Sequence, residues 1–422
     1  MDAKEILILF IVLRLVQQVV ERALAWLNRR YWLSPEHQQV AKATLGISDA
    51  DFDKTLRYTQ DKFSFGSFAT WMSQMITLVF LAWGGLGALE RLASAWTPGP
   101  LTAGIAFFGL VGLASMLSGL PFEYYRTFVI EARHGFNRQT VKGFWLDRLK
   151  GIALAVVLGA PLLAGILWIM AATGDRWWLW AWAAMSGFSL FTAWAYPTFL
   201  APLFNKFSPV EEGELKHGIN ALAARIGFRA AGIYVMDASK RSSHGNAYFT
   251  GVFGKKRIVL FDTLVTSMAA GEVVAVLAHE LGHFKLHHVR WGVLRGILMT
   301  GVTFYLLSRL LPFTAFYRAF DLGGVSNHGA LIVFGLWFSV LDFLLAPIGN
   351  WISRKNEFAA DRFAREHAGG AKELGAALLK LRETSHAMPL THPLFSAFYH
   401  SHPPLLERLA ALGLGPQTGA LS

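Results

Sequence analysis

Cysteine is absent from this 422-residue chain. Its absence excludes disulfide bonds, thiolate metal sites and cysteine nucleophiles, so any metal ion must be held by histidine and carboxylate side chains. Charged residues are also scarce, at 16% of the chain, while hydrophobic residues make up 54%. This balance argues against a soluble protein and predicts an integral membrane protein.

A dense block of lysine and arginine is missing too, although the net charge is +11. We therefore expect no nucleic-acid partner, because such partners select clustered basic residues. The basic residues lie mainly between apolar runs, where membrane topology explains them better. Membrane lipids are the expected surroundings.

Apolar runs of about 20 residues, long enough to cross a bilayer as helices, occur about seven times. They are Ile6–Leu27, Phe68–Leu92, Leu101–Phe122, Gly151–Thr173, Trp177–Phe199, Val289–Leu311 and Leu331–Ile352. Lysine and arginine are abundant in the first and third connecting segments and sparse in the second, fourth and sixth. This alternation predicts a multi-pass protein whose C-terminus and segment 205–288 face the cytoplasm.

Short strand patterns interrupt the helical sequence between the fifth and sixth apolar runs. Ile233–Met236, Ala247–Phe253 and Arg257–Phe261 read as strands, the last two joined by a turn at Gly254–Lys256. A helix is predicted to follow, with Ser267 as its cap. We expect a small hairpin-bearing sheet that leads directly into this helix.

The predicted helix carries His279-Glu280-Leu281-Gly282-His283, an H-E-x-x-H sequence. Positions i and i+4 share one face of a helix, so both imidazoles can reach one metal ion. Zinc suits this set because it accepts imidazole nitrogen and carboxylate oxygen and keeps a position for water. We predict one zinc ion per chain, bound by His279 and His283, with Glu280 as general base.

A third ligand is expected from Glu357, just after the last apolar run. Asp361 follows four residues later, so one carboxylate can bind zinc while the other fixes an imidazole tautomer. The alternative interpretation is an ordinary charged helix face beside Arg354 and Lys355. His287 and His288 continue the sequence of the motif helix, and we expect them at a surface or interface.

Several stretches together resemble the type I CAAX prenyl proteases. They are the His279–His283 motif, Asn356–Asp361, Ser243–Gly251, His402–Leu409 and, in the third connecting segment, Arg133–Thr140. The similarity extends over essentially the whole chain. Two residues depart from the family pattern: Gly245 stands where serine is expected, and His134 where an aromatic residue such as phenylalanine is usual.

The resemblance implies a mainly α membrane fold in which about seven helices enclose a chamber, with zinc facing inward from a zincin-like domain. It supports Glu357 as third ligand and Asp361 as the carboxylate that hydrogen-bonds a ligand imidazole, and it implies that Asn246, Ala247 and Tyr248 pair with an extended substrate. His402 and Arg408 become candidates for stabilising the oxyanion or the substrate's terminal carboxylate. The alternative interpretation is that His402 is an ordinary loop histidine and Arg408 a solvated helix arginine, neither with a role in catalysis.

Four regions follow from these features. Residues 1–204 contain membrane helices 1–5, 205–288 the sheet and motif helix, 289–352 membrane helices 6–7, and 353–422 the rest of the metalloprotease domain.

The expected location is a bacterial inner membrane or the endoplasmic reticulum membrane. The tail Gly415–Ser422 has no lysine-rich retrieval signal, which makes the endoplasmic reticulum less expected.

The favoured hypothesis is a zinc endopeptidase that cleaves near the C-terminus of prenylated proteins. A membrane quality-control protease with the same motif is the first alternative. The second is a seven-span carrier or channel with an accidental motif, which would use the intramembrane Arg14 and Asp342.

Overall fold

Helices make up most of the fold, as the long apolar runs predict. The computed structural model of the chain describes residues 1–137, 139–240, 247–250, 257–385 and 387–415. Its α-helices are, in chain order, α1 (Ala3–Leu33), α2 (Pro35–Leu45), α3 (Asp49–Ala82), α4 (Gly85–Trp96), α5 (Pro100–Tyr125), α6 (Val141–Leu154), α7 (Ala160–Ala172), α8 (Trp177–Ala195), α9 (Ala201–Phe204), α10 (Glu214–Arg225), α11 (Asp262–Ser267), α12 (Ala270–Lys285), α13 (His288–Leu310), α14 (Thr314–Arg318), α15 (Asn327–His367), α16 (Ala371–Ser385), α17 (Pro393–Tyr399) and α18 (Leu405–Ala411). Turns of π-helix at Arg126–Glu131, Ala155–Gly159 and Tyr196–Leu200 extend or join them.

Five helical stretches among the described residues are long and apolar enough to cross a membrane. They are Asp49–Ala82, Pro100–Glu131, Val141–Ala172, His288–Leu310 and Asn327–His367. In each, no more than 17% of the most apolar stretch is buried by the rest of the protein, which leaves apolar surface for lipid. The predicted first and fifth spans are also helical, as α1 and α8, but charged or tryptophan residues lower their hydropathy.

The chain divides into two compact units, the first formed by Met1–Val20, Gln60–Phe188 and Arg295–Leu344. Aromatic residues fill its core, and Phe10 meets Phe320 edge to face at 5.3 Å. The segment before α15 packs against the start of α4 so closely that a Cβ on Gly87 would lie 2.1 Å from the Asp321 carbonyl oxygen. Glycine is therefore required at position 87.

A largely buried contact between Glu90 and His328 fixes the same segment of the first unit. Glu90 Oε1 lies 2.8 Å from His328 Nε2, and Glu90 Oε2 accepts a hydrogen bond of 2.7 Å from the Gly323 N–H. Ser326 Oγ lies 3.4 Å from His328 Nε2. Both oxygens of the Glu90 carboxylate therefore have partners within this unit.

The second unit comprises Glu21–Thr59, Ser189–Leu294 and Leu345–Ser422 and contains a four-stranded sheet. The strands are β1 (Phe207–Pro209), β2 (Gly232–Met236), β3 (Ala247–Thr250) and β4 (Arg257–Phe261), in the order β1-β2-β4-β3. β2 and β4 are parallel, while β1 and β3 are antiparallel to their neighbours. Among the described strands β3 lies at an edge of the sheet, and the predicted pairing of β3 with β4 is confirmed.

Alternation along β4 divides the sheet into two faces. Ile258 and Leu260 are fully buried in the core that α12 shares through Leu277 and Leu281. Val259 points the other way, into a small cluster with Met236. The apolar side of α12 therefore packs on one face of the sheet, and burial of a side chain such as Leu277 contributes about 2 kcal/mol.

Both ends of the motif helix differ from the prediction. Ser267 ends the short helix α11 and does not cap α12; the N-cap is Ala269, whose N–H donates to Glu272 Oε2 at 2.8 Å. The helix ends at Lys285, because His287 adopts a left-handed conformation with φ 62°. His288 therefore begins α13 and does not continue α12.

The division of the sequence at residues 204, 288 and 352 stays a prediction. Each compact unit is assembled from three segments of chain, and long helices such as α15 contribute residues to both.

Candidate metal centre

His279 and His283 lie one turn apart on α12, with ring centroids 4.9 Å apart. Their Nε2 atoms face each other at 3.2 Å. His279 is 7% exposed, so it lies inside the second unit rather than on its surface. The i, i+4 spacing thus brings the two nitrogens together as the sequence predicts.

Glu357 reaches the two imidazoles from α15. Its Oε2 lies 3.4 Å from His279 Nε2 and its Oε1 lies 3.3 Å from His283 Nε2. The helices can approach this closely because residue 282 is glycine: a Cβ there would lie 3.2 Å from Phe363 Cβ and 3.3 Å from Ala360 Cα. Gly282 therefore helps to place the carboxylate beside the motif.

The three groups fit a metal ion. The ligand atoms of tetrahedral zinc, with bonds of about 2.0–2.1 Å, lie about 3.3 Å apart. The two Nε2 atoms are 3.2 Å apart, and one nitrogen from each histidine and one Glu357 oxygen all lie within 4.8 Å of one another. Glu357 is 4% exposed, and its buried Oε2 has no hydrogen-bond partner among the described residues. Lone pairs that converge in a buried site repel one another unless a cation lies between them.

Asp361 holds the far side of the His279 ring. Its Oδ1 lies 2.8 Å from His279 Nδ1, so that nitrogen donates its proton and the Nε2 lone pair is left facing Glu357. Burial alone would lower the pKa of His279, but the carboxylates of Asp361 and Glu357 raise it to about 9. The negative charge of these two carboxylates, which favours a proton on His279, also favours a metal cation beside it.

Arg408, on α18, donates two hydrogen bonds to Asp361. Its Nε donates to Oδ2 at 2.8 Å and its Nη2 to Oδ1 at 2.5 Å, a bidentate pair. Arg408 is therefore not a solvated helix residue. Its Nη2 lies 3.4 Å from His279 Nδ1, the nitrogen that faces Asp361, and this geometry favours a role in holding Asp361 over direct contact with an oxyanion.

His283 has a partner that the sequence analysis missed. His288 Nδ1 lies 3.0 Å from His283 Nδ1, and the ring centroids are 5.2 Å apart. The sequence analysis assumed that α12 continues through His288, and it therefore did not predict this contact. No sequence signal marks the end of the helix, since the left-handed residue is His287 rather than glycine or asparagine.

Glu280 and His402 lie beside the three convergent groups. Burial raises the pKa of Glu280 above its ordinary value, against the opposing charges of His279 and His283. His402 Nε2 lies 3.4 Å from Glu357 Oε1, while 67% of its side chain is exposed. An imidazole in this position can donate a hydrogen bond to a group that enters from solvent.

The predicted substrate residues lie on or before the edge strand. Ala247 is 2% exposed and packs towards the α12 core, so only its backbone can meet a peptide. Tyr248 points to the opposite face, where it lines a cavity of about 540 Å³ with Tyr234 and Arg257. Asn246 lies outside the described residues.

Two family models match the chain: one described as the CAAX prenyl protease N-terminal region with five membrane helices over residues 33–206, and peptidase family M48 over residues 209–413. A protein of Arabidopsis thaliana named CAAX prenyl protease 1 homolog is 37% identical over 87% of this chain and 88% of its own. The chain belongs to the CAAX prenyl protease 1 family of M48 peptidases. It is therefore a zinc metalloprotease and an integral membrane protein with several spans, and it acts on peptides or proteins.

Other relatives agree with this assignment. The Homo sapiens CAAX prenyl protease 1 homolog is 34% identical over 93% of this chain and 92% of its own. The crystal structure of S. mikatae Ste24p matches with a TM-score of 0.90 and 32% identity, covering 98% of this chain and 99% of that one. The mainly helical membrane fold with a metalloprotease domain is thus confirmed, and the carrier or channel hypothesis is not supported.

Proposed function

We propose that this protein hydrolyses peptide bonds near the C-terminus of prenylated CAAX-type proteins. The observation that carries the proposal is the convergence of three groups in a chain of this family: His279 Nε2 and His283 Nε2 lie 3.2 Å apart, and the Glu357 carboxylate places one oxygen 3.4 Å from the first and the other 3.3 Å from the second. These three residues would bind one zinc ion per chain. The names of the relatives support the prenylated substrate.

When bound, zinc supplies Lewis-acid activation of a water molecule and of the scissile carbonyl. Glu280 accepts a proton from the attacking water as its oxygen bonds to the carbonyl carbon, and burial makes this carboxylate a stronger base. The proton then passes from Glu280 to the amide nitrogen as the C–N bond breaks. The products are one carboxylic acid and one amine, and Glu280 returns to its starting state.

Residues around this centre would orient the substrate. Among the described strands β3 lies at the outer edge of the sheet, and an extended peptide would pair with it through the backbone of Ala247 and its neighbours, including Asn246. His402 would donate a hydrogen bond to the carbonyl oxygen as it becomes negative. Asp361, held by Arg408, would keep His279 in the tautomer that binds zinc.

The distribution of loop charges supports an orientation in which the C-terminus and the metalloprotease domain face the cytoplasm. The host membrane would be a bacterial inner membrane or the endoplasmic reticulum membrane. Either location gives the prenyl group of a substrate access to lipid.

The test compares a farnesylated peptide with its unprenylated twin, using the wild type and Glu280→Gln. We expect cleavage of the farnesylated peptide to be much faster, and its loss in Glu280→Gln by about 10²–10⁴-fold or more with zinc retained. Equal rates on the two peptides would favour the quality-control hypothesis. Unchanged cleavage in Glu280→Gln would overturn the mechanism.

A further inference from the structure

A third histidine contacts the candidate metal centre from beyond the motif. α12 ends at Lys285, the left-handed His287 turns the chain, and His288 opens α13 with its ring directed back at His283. The two Nδ1 atoms lie 3.0 Å apart, within hydrogen-bond distance. The rings meet edge to face at 68°, which aligns a nitrogen of one with the edge of the other.

Proton positions decide what this contact does. His283 Nε2 lies 3.2 Å from His279 Nε2 and 3.3 Å from Glu357 Oε1, so it is the nitrogen available to a metal. A neutral imidazole that binds metal through Nε2 carries its proton on Nδ1. That proton points at His288 Nδ1, which can accept it only when the proton of His288 is on Nε2.

We propose that His288 is a positioning residue: it accepts the Nδ1 proton of His283 and so fixes the ring orientation and tautomer that bind zinc. It does for His283 what Asp361 does for His279, with a neutral imidazole in place of a carboxylate. This inference rests on the proposed function of the same site. Ligand histidines commonly use their second nitrogen in this way, and loss of such a partner weakens metal binding by about 10–100-fold.

The backbone between the two residues supports this role. A non-glycine residue in the left-handed region costs roughly 1–2 kcal/mol, and His287 adopts it at φ 62°. Such a conformation persists where the surrounding structure determines it, and strain of this kind concentrates at functional sites. The turn at His287 is what returns the ring of His288 to His283.

Two substitutions of nearly equal shape separate hydrogen bonding from packing. His288→Asn places an amide oxygen close to the position of Nδ1 and keeps an acceptor, whereas His288→Leu keeps the bulk without one. His287→Asn is the matched control, because asparagine tolerates the left-handed conformation and position 287 contributes no ligand. Full-length protein in detergent is titrated with zinc against a chromophoric chelator, and the absorption spectrum of each cobalt-substituted form is recorded.

We expect His288→Leu to weaken zinc binding by about 10–100-fold and to shift the cobalt bands, while His288→Asn and His287→Asn stay close to the wild type. The proposal is overturned if His288→Leu binds zinc like the wild type, or if His288→Asn loses as much affinity as His288→Leu. Should His288→Leu fail to fold, His288→Gln, whose acceptor lies one bond further out, replaces it and should also weaken binding. A wild type that binds no zinc would instead refute the proposed function.

Discussion

His328 Nε2 lies 2.8 Å from Glu90 Oε1 in the first unit, and His279 Nδ1 lies 2.8 Å from Asp361 Oδ1 in the second. Both pairs are largely buried, with side-chain exposures of 11% and 13% in the first and 9% and 2% in the second. By distance and burial alone they are almost the same interaction.

The difference lies in what surrounds each pair. The second oxygen of Glu90 is occupied by the Gly323 N–H, so the cluster of the first unit is closed. In the second unit the other nitrogen of His279 faces His283 and Glu357, whose Oε2 has no hydrogen-bond partner among the described residues. A buried histidine–carboxylate pair is thus a structural element when its atoms are satisfied, and part of a reactive site when one lone pair is left directed at others.

The largest effect is expected from His279→Ala, which removes one of the three convergent groups. The variant should retain almost no zinc after purification, and cleavage should fall to background, because two ligands hold the ion too weakly. Elemental analysis of the purified protein measures the metal content. Zinc content near that of the wild type would show that the ion binds elsewhere.

Asp361→Asn should have the next largest effect. The amide keeps the shape of the side chain but loses the charge that stabilises the His279 N–H and pairs with Arg408, so zinc affinity should fall by about 10–100-fold. Competition with a chelator gives the affinity. An unchanged affinity would mean that the pair in the second unit is as purely structural as the one in the first.

A smaller loss is expected for Arg408→Lys. Lysine keeps the charge but cannot form the bidentate contact with Asp361, so a several-fold weakening of zinc binding should follow. Arg91→Lys is the matched control, because Arg91 pairs with Asp321 at 3.0 Å at an exposed site of the first unit. If both substitutions changed zinc affinity equally, the Arg408–Asp361 contact would be no more important to the metal centre than the exposed Arg91–Asp321 pair.

Glu90→Gln should change zinc affinity and the cleavage rate of the folded enzyme least. It should instead lower the stability of the fold, because glutamine offers one acceptor oxygen where Glu90 offers two, and leaving a buried donor without its acceptor costs about 1–3 kcal/mol. The apparent melting temperature and the activity per folded molecule separate these outcomes. A loss of activity at unchanged stability would contradict the structural role of this pair.

Sequence alone predicted the ligand pair, the general base and Glu357 because helical spacing is periodic and the motif demands a third donor. It also predicted three strands and the pairing of β3 with β4. The strand Phe207–Pro209 was missed, since three residues carry too little alternation to be recognised.

His288 and the true contact of Arg408 could not be predicted in this way. The first depends on a left-handed turn at a histidine, and the second on two side chains separated by 47 positions in the chain. Such contacts arise from tertiary packing and leave no periodic pattern. The N-cap of α12 was predicted at Ser267 because serine is a common capping residue, whereas the structure has Ala269 at this position.

The residues of the motif are determined by two different requirements, chemistry and packing. His279, Glu280 and His283 are set by chemistry, whereas Leu281 fills the core and Gly282 is set by the neighbouring helix. A Cβ at position 282 would lie 3.2 Å from Phe363 Cβ and 3.3 Å from Ala360 Cα, so the neighbouring helix would have to move to admit a side chain at the second variable position of H-E-x-x-H. Transfer of the motif to another pair of helices must therefore reproduce the distance between the two helices before the catalytic residues can be placed.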